Sequence, residues 1–550
     1  MIKLITNLHM KIKGAKRLSF SILFFAILFA TMQVVGCNLS LKFGTTVHTS
    51  MREMLGALDR WMWLLIWLIE IVLFYFALFM SFRAIDRKKT SCILKGKVSG
   101  AFIMICGTTG MLLCWLPVLL ANLPGFFNYD ISGQLIQVLY ADLNTYNTHH
   151  SLISTLVMGG IITLGYEWFG TLYAGILMYS VFQMILCALT FAYSLDFIYK
   201  KTKSIGWLIF GFLFYAFSPT ISMFAMSTTK DVICSLCLLL TILFVFEMFE
   251  DGSKFFKSPV KIIILVVLMI LASLFRKNII YAIVLFAVLC VAIAGSAKGK
   301  MTLLFFGTVV GFFVFSFALE KGLEAEKGGK AEAYSIPIQQ IGFLYNEEEN
   351  AFTDDELEFL EGMLPAKQWQ KYNPFSSDDL KNFINTEYFV ENKKEFLSLW
   401  IKKGIQYPFE YIEAFCNLTY QAWYPGTSIY EGDIYYFDFH GANYMIEKTS
   451  YIPALTEFCE KISLDFYYQK VPVIRLLFSV GFMFWSLLIT LCRGIYKKQK
   501  SVIGSGLLVL CVCLSCMAGP VSLVRYYLIL FYAFPVYLAM LFNGRKLAEC

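Results

Sequence analysis

The sequence predicts an all-α polytopic membrane protein, because of its composition, its apolar runs and the placement of its basic residues. Of the 550 residues, 58% are hydrophobic and only 15% are charged, whereas a soluble domain carries roughly a quarter charged residues. Apolar runs long enough to cross ~30 Å of hydrocarbon as a helix recur along the chain. The basic residues behind the net charge of +7 lie in short clusters between these runs. Such clusters orient membrane helices and do not indicate nucleic-acid binding.

About twelve transmembrane helices are predicted from these runs. They cover residues 18–36, 61–82, 99–121, 171–195, 205–222, 231–249, 261–275, 279–296, 301–319, 472–492, 502–518 and 526–543. The first run follows five basic residues and leads into a segment that also fits a lipoprotein cleavage pattern ending at Cys37. Because further spans follow, we interpret 18–36 as a first transmembrane helix.

The basic residues orient these helices, since cytoplasmic loops carry an excess of Lys and Arg. Every loop predicted to lie inside is basic, whereas loop 122–170 contains no Lys or Arg. The chain is therefore predicted to lie in the cell membrane with both termini in the cytoplasm. Segment 151–166 is apolar, but a full crossing there would move the basic cluster at 200–203 outside. We expect 151–166 to form an interfacial or re-entrant helix on the outer face.

Residues 320–470 predict one mainly helical extracytoplasmic domain. They contain about twice as many acidic as basic residues and follow an outward helix. The predicted organisation is two N-terminal transmembrane helices (1–98), a catalytic transmembrane core (99–319) with outer loop 122–170, this domain, and the C-terminal transmembrane helices (471–550).

The first outer loop carries the candidate catalytic residue, Asp130, a few residues beyond the end of a helix. An acid fixed at the mouth of a helix bundle near histidines suits a general base. Capping of the following helix is the alternative role for this residue. Candidate binding residues in the same loop are Tyr129, Gln134, Gln137, His149 and His150.

Further candidate binding residues recur at the outward ends of later helices. They are Lys230, Asp231, Arg276, Lys277, Arg525 and Tyr526. Charges near hydrocarbon are costly, so they are usually functional or paired. For each cation the alternative is snorkelling toward lipid headgroups. Sugar transfer from a lipid phosphate needs a carboxylate to accept a proton and cations to stabilise the departing phosphate.

These motifs resemble the GT-C superfamily of membrane glycosyltransferases, which take sugars from polyprenyl-phosphate carriers. In that group an acidic residue opens the first outer loop, and a His-Pro type motif leads into a short interfacial helix. Asp130 and His149-His150 stand in these positions, and Ser151 replaces the common proline. The segments SPTISMFAMSTTKDVICSLCLLL, LFRKNIIY and VRYYLILFYAFPVYL are also similar, over roughly 99–543. The segment SIPIQQIG resembles an uncharacterised bacterial subgroup.

The resemblance implies a GT-C-like bundle that transfers a hexosyl or pentosyl group to a cell-envelope glycan or lipid acceptor on the outer face. The partners it implies are a polyprenyl-phosphate-linked sugar, this acceptor and membrane lipids. Arg276, Lys277 and Arg525 would hold the phosphate. The sequence requires no cofactor and assigns no metal ligands, although Asp130 with Asp231 is a candidate site for a divalent cation.

Two other functions stay open at this point. A polysaccharide polymerase or ligase would use a related lipid-linked donor, and a transporter or flippase would need charges in the middle of helices, for which Glu70 is the main candidate. No glycine-rich nucleotide loop is present, so a soluble nucleotide-sugar donor is not expected.

Two cysteine pairs also leave alternatives. Cys234 and Cys237 form a CxxC inside an apolar run, where packing is favoured over redox or metal chemistry. Cys416 and Cys459 both fall in the predicted outer domain and are candidates for a disulfide.

Overall fold

The computed structural model of the chain describes residues 19–44, 58–87, 98–127, 130–139, 146–293, 297–328, 331–426, 446–463, 471 and 473–542. Within these residues all repeating structure is helical, and strand-like pairing is limited to isolated bridges. Nine of the described helices are long and apolar enough to cross a membrane, or ten if one bent pair forms a single span. The prediction of a polytopic, all-helical membrane protein is therefore confirmed.

Up to residue 322, twelve helices of seven or more residues lie in the described part of the chain. They are α1 (Phe20–Lys42), α2 (Arg60–Arg87), α3 (Gly100–Ala121), α4 (Asp130–Leu139), α5 (Leu152–Phe169), α6 (Leu172–Thr202), α7 (Ile205–Phe217), α8 (Pro219–Ala225), α9 (Lys230–Glu250), α10 (Pro259–Phe275), α11 (Ile279–Ile293) and α12 (Lys298–Gly322). Several begin at a Ser or Thr whose side chain accepts a hydrogen bond from a backbone N–H of the first turn, as is typical of an N-cap.

The main helices of the second half are α13 (Ser335–Glu347), α14 (Asp354–Met363), α15 (Lys393–Gln406), α16 (Pro408–Trp423), α17 (Pro453–Ser463), α18 (Val480–Tyr496), α19 (Lys500–Met517) and α20 (Leu528–Phe542). Helix α18 begins later than the predicted span 472–492, because a short 3₁₀ turn, Ile474–Phe478, precedes it. The predicted span 205–222 is divided between α7 and α8, which meet at an angle of 59°.

Helices α9 and α20 form the centre of the bundle. In the most apolar window of α9, and in that of the segment Val524–Phe542 that ends in α20, 83% of the residues are buried, against 22% in α2 and in α12. A helix that is apolar on all sides and buried on all sides lies inside a bundle, whereas α2 and α12 present apolar faces to the surroundings. The two central helices therefore fix the positions of the residues at their ends.

Residues 331–426, here called the inserted domain, have apolar cores of their own. One core contains Ile338, Trp369 and Phe396, and it is separate from the main core of the membrane helices. Helix α16 joins the two parts, since the carbonyl oxygen of Trp423 accepts a hydrogen bond from the indole of Trp485 in α18 (2.8 Å). The domain is thus packed directly onto the transmembrane bundle.

Helices α5 and α6 pack against each other through glycine. A Cβ atom built on Gly175 would lie 2.2 Å from the carbonyl oxygen of Ile162, and one on Gly165 would lie 2.5 Å from the Cα of Gly175. Backbones approach this closely only where side chains are absent. The α5–α6 hairpin therefore depends on these two glycines.

We expect Gly175→Ala to lower the melting temperature of the detergent-solubilised protein, because the added methyl group collides with the backbone of α5. The matched control is Gly160→Ala in α5, where a Cβ atom meets nothing within 4 Å. There the change should be neutral or stabilising by about 1 kcal/mol, the helix propensity difference between the two residues. Equal melting temperatures for the two variants would contradict this packing.

Candidate functional site

Short backbone bridges bring the loop after α3 to the start of α9. The amide of Phe126 donates to the carbonyl oxygen of Met226 (2.9 Å), and the amide of Thr228 donates to the carbonyl oxygen of Phe126 (2.9 Å). Gly125 allows this approach, because its φ is +127° and a Cβ atom there would lie 2.0 Å from the hydroxyl oxygen of Ser180. The first loop is thereby fixed beside the residues that open α9.

The end of α8 is held by a buried amide in α6. The side chain of Gln183 donates to the carbonyl oxygens of Ser227 (2.7 Å) and Phe224 (3.1 Å). Thr229 then caps α9, its hydroxyl oxygen accepting from the amide of Asp231. These contacts place Lys230 and Asp231 at the helix end that is predicted to face outward.

An ion-pair cluster connects four residues from different parts of the chain. Arg525 donates from Nη1 to Oδ2 of Asp130 (2.7 Å), and its Nε lies 3.8 Å from Oδ2 of Asp231. Asp231 also forms an ion pair with Arg276. The cluster therefore runs Asp130, Arg525, Asp231, Arg276, and its carboxylates and guanidinium groups alternate.

The ring of Tyr526 supports both guanidinium groups of the cluster. The guanidinium carbon of Arg276 lies 3.7 Å from the ring centre, and that of Arg525 lies 5.3 Å from it. Attraction between a cation and an aromatic face strengthens where water is excluded, and the side chains of Arg525 and Arg276 are only 6% and 15% exposed. The single ring of Tyr526 therefore helps to fix the orientation of both arginine side chains.

Asn278 is a site residue that the sequence analysis missed. Its side-chain oxygen accepts from Nε of Arg276 (2.9 Å), and its amide nitrogen donates to the hydroxyl of Ser515 in α19 (3.3 Å). It follows Arg276 by two positions, but a single asparagine after a helix gives no signal of this role.

Lys230 adds a third cation beside the cluster. It interacts electrostatically with Asp130 and Asp231. His150 also faces Asp130, and its burial, followed by the charge of Lys230, lowers the pKa of the imidazole to about 4. The histidine is therefore neutral near pH 7, and three cations face two carboxylates. The group has a net positive charge, which favours an anionic ligand.

Asp130 is strongly acidic in this arrangement. Burial alone would raise the pKa of its carboxyl group, but Arg525, followed by Lys230 and His150, holds that pKa at about 2. A general base is most effective when its pKa lies near the working pH. While Asp130 is paired with Arg525, it is therefore fully ionised but a weak proton acceptor.

The structure brings together six of the predicted site residues around one point: Asp130, Lys230, Asp231, Arg276, Arg525 and Tyr526, with His150 beside them. His149 stands edge to face with His150, ring centres 4.7 Å apart. Tyr129 lies outside the described residues.

The remaining predicted residues serve contacts within the loop. Lys277 donates to the carbonyl oxygen of Thr148 (3.2 Å). Gln134 donates to the hydroxyl oxygen of Thr155 (3.3 Å), and the side chain of Gln137 accepts from the amide of residue 147 (3.1 Å). These three side chains hold α4 and the end of the loop against α5 and α10.

A divalent cation does not fit between Asp130 and Asp231, because the guanidinium group of Arg525 already bridges the two carboxylates. In the part of the chain that the structure describes, no group of three or more His, Cys, Asp or Glu side chains is arranged to hold a metal ion. Cys416 and Cys459 are each free, and Cys459 accepts a hydrogen bond from Asn122. Cys234 lies buried in α9.

The inserted domain is hydrogen-bonded to the loop that carries Arg525. The amide of Ser377 donates to the carbonyl oxygen of Pro520 (2.8 Å), and Ser376 forms a bridge with Val521. The hydroxyl of Ser522 donates to the carbonyl oxygen of Leu418 in α16 (3.2 Å). Sequence reasoning did not single out these serines, because serine in a turn is common and carries no information about its partner.

Residues 139–549 match the family model described as "Family of unknown function (DUF6020)". The chain belongs to this family. The comparison with curated proteins and the comparison with solved structures gave no match. The matched region contains the cluster residues at the ends of α9, α10 and α20, and Asp130 precedes it.

We expect Ser377→Pro to loosen the loop around Arg525, because proline lacks the N–H that bonds to Pro520. Losing about 1 kcal/mol of hydrogen-bond free energy should speed local amide exchange about fivefold. Hydrogen–deuterium exchange of a peptide covering 519–527 measures this effect. The hydroxyl of Ser377 also donates to the carbonyl oxygen of Pro520 (3.3 Å), so Ser377→Ala, which loses that bond but keeps the N–H, is the matched control and should exchange more slowly than Ser377→Pro. Equal exchange in both variants would show that the inserted domain does not hold this loop.

Proposed function

We propose that the protein is a membrane glycosyltransferase of the GT-C type. It would transfer a sugar from a polyprenyl-phosphate carrier to a cell-envelope glycan or lipid on the outer side of the membrane. The proposal is carried by one observation, the convergence of Asp130, Asp231, Arg276 and Arg525 on a single buried cluster. Cations that only snorkel toward lipid headgroups have no reason to meet.

The composition of the cluster supports a phosphate ligand. Arg276 and Arg525 offer planar forks of N–H donors, which match the oxygens of a phosphate bidentately. Lys230 adds a point charge beside them. The net positive charge is held where water is largely excluded, and electrostatic stabilisation of a leaving phosphate is strongest in such a site.

The proposed reaction uses the same residues in two roles. The bond between the anomeric carbon and the phosphate oxygen breaks, and the phosphate leaves with the electron pair and is stabilised by Arg276 and Arg525. A bond forms between the anomeric carbon and the hydroxyl oxygen of the acceptor. The proton of that hydroxyl passes to Asp130. These steps balance without a cofactor.

Placement of the cluster at helix ends favours an enzyme over a flippase, since a flippase needs polar groups along the middle of the bundle. In the described spans, Glu70 is the midspan acid singled out above, and it lies in α2 at the periphery of the bundle. A polymerase or ligase would use the same cluster on a larger donor, and the size of the transferred glycan would distinguish it.

We also propose a topology of twelve spans in which α5 stays on the outer side. Helix α5 is long and apolar enough to cross a membrane, but its packing favours another position. Gln183 of α6 lies level with the start of α9, and from there to Thr202 the helix rises about 29 Å, one hydrocarbon thickness. Helix α5 packs against Gly175, before this stretch.

Labelling of a cysteine placed at Glu167 tests this topology. Glu167 is exposed near the end of α5, so Glu167→Cys should react with a membrane-impermeant maleimide from outside intact spheroplasts, above the reaction of the parent chain. Lys254→Cys, in the short helix Gly252–Phe255 between α9 and α10, should react only after permeabilisation. Protection of position 167 until permeabilisation would show that α5 crosses the membrane.

The proposed activity is tested with purified protein, a labelled polyprenyl-phosphate sugar and cell-envelope acceptors. We expect Asp130→Asn and Arg525→Gln each to reduce transfer by about 100-fold or more, the usual scale for a lost general base or a lost electrostatic contact. Lys42→Gln removes another ion-paired cation, which bonds Glu413 far along the chain from the cluster, and should leave the rate within about twofold, as for exposed ion pairs. Full activity of Asp130→Asn would overturn the assignment of the base.

A further inference from the structure

Arg525 has one guanidinium group and, under the proposed function, two anions to bind. In the structure its Nη1 is committed to Asp130 at 2.7 Å, and its Nε faces Asp231 at 3.8 Å. A donor phosphate that takes a bidentate contact through Nη1 therefore competes with Asp130 for that nitrogen. The side chain of Arg525 is 6% exposed, so little room is left for both anions to share it.

We infer that the phosphodiester of the donor and the carboxylate of Asp130 compete for Arg525, so that donor binding releases Asp130 and makes it the base. This inference rests on the proposed function and adds an order of events to it. Without donor, the buried carboxylate has a partner and is inactive. With donor, the arginine is engaged by the leaving group.

The change in the pKa of Asp130 on its release from Arg525 depends on the charged and titratable groups that face it. Arg525 and Tyr526 face it from the segment before α20, Lys230 from the start of α9, and His150 from the end of the first loop. Asp231 and Arg276 complete the cluster behind Arg525. Once Arg525 turns to the phosphate, Asp130 loses its largest stabilising partner and gains an anion nearby. Both changes raise the pKa of its carboxyl group above the resting value of about 2.

The same exchange returns the site to its starting state. Asp130 takes the proton of the acceptor hydroxyl as the new glycosidic bond forms, and the carrier phosphate leaves with the electrons of the broken bond. When the phosphate departs, Arg525 pairs again with Asp130 at 2.7 Å. The pKa of the carboxyl group falls back, and the proton is released to solvent. Re-formation of the ion pair with Arg525 therefore returns Asp130 to its resting state after each turnover.

The first test measures the affinity of an unreactive polyprenyl phosphate methyl diester. A diester carries one charge and does not titrate between pH 5 and 8, so any pH dependence belongs to the protein. In Asp130→Asn the competitor is gone, and the diester should bind at least about 1,000-fold more tightly at pH 7.5, because donor binding must raise the pKa of Asp130 by about three units or more from about 2 to make it a base in this pH range, and each unit is worth tenfold in affinity. Asp130→Ala serves as a second variant if the first does not fold.

The second test is the pH dependence of that affinity. Because the complex has the higher pKa at Asp130, binding takes up protons, and wild-type affinity should fall as the pH rises from 5 to 8. Asp130→Asn should show a flat profile. Asp231→Asn removes the same charge from the cluster but keeps Asp130, and it should retain the slope.

The outcomes separate the two proposals. If the diester binds wild type and Arg525→Gln equally, or binds neither, the proposed function fails with its phosphate site. If binding depends on Arg525 but Asp130→Asn binds no more tightly, or the profile is flat in wild type, the competition is wrong and the phosphate site stands. Tighter binding by Asp130→Asn together with a wild-type slope supports the release of the base.

Discussion

The ion pair between Arg525 and Asp130 is the contact on which the rest of the site depends. It joins residues 395 positions apart and closes the transmembrane bundle at the helix ends predicted to face outward. A buried charge without a partner costs several kcal/mol, whereas an alternating series of carboxylates and guanidinium groups compensates each charge. Asp231 and Arg276 extend that series. Each of the four buried charges therefore has a neighbour of opposite sign, and removing one residue would leave its neighbour less well compensated.

Such a series is possible only if the backbone holds its members in place. The bridges between the first loop and the start of α9, the side chain of Gln183, and the contact of Ser377 with Pro520 each fix one segment near the cluster. None of them has a charge, and each hydrogen bond among them contributes about 1 kcal/mol. Their combined effect is to remove the freedom that ion pairs between long side chains would otherwise lose on forming. The inserted domain therefore has a role in the site although no cluster residue belongs to it.

The sequence predicts the elements better than the contacts between them. Apolar length predicts most helix positions, because a transmembrane helix needs about 20 apolar residues wherever it packs. The start of α18 and the bend between α7 and α8 depend on local packing, which hydropathy does not report. Membership of the cluster was predicted from charge at helix ends, but the pairing was not, since it joins distant segments. Two neighbouring residues also have different roles. Arg276 belongs to the cluster, whereas Lys277 donates a hydrogen bond to the carbonyl oxygen of Thr148.

The chemistry of the cluster contains a conflict that its geometry resolves. A base must be able to gain a proton, yet a carboxylate buried among cations is held in its ionised form. Leaving Asp130 unpaired in the resting protein would keep its pKa higher, at the cost of a buried arginine whose remaining anion is Asp231 at 3.8 Å. An arginine that binds the carboxylate first and the phosphate later satisfies both conditions in turn. Arginine suits this exchange better than lysine, because its planar fork offers several N–H donors in a fixed geometry and stays charged throughout.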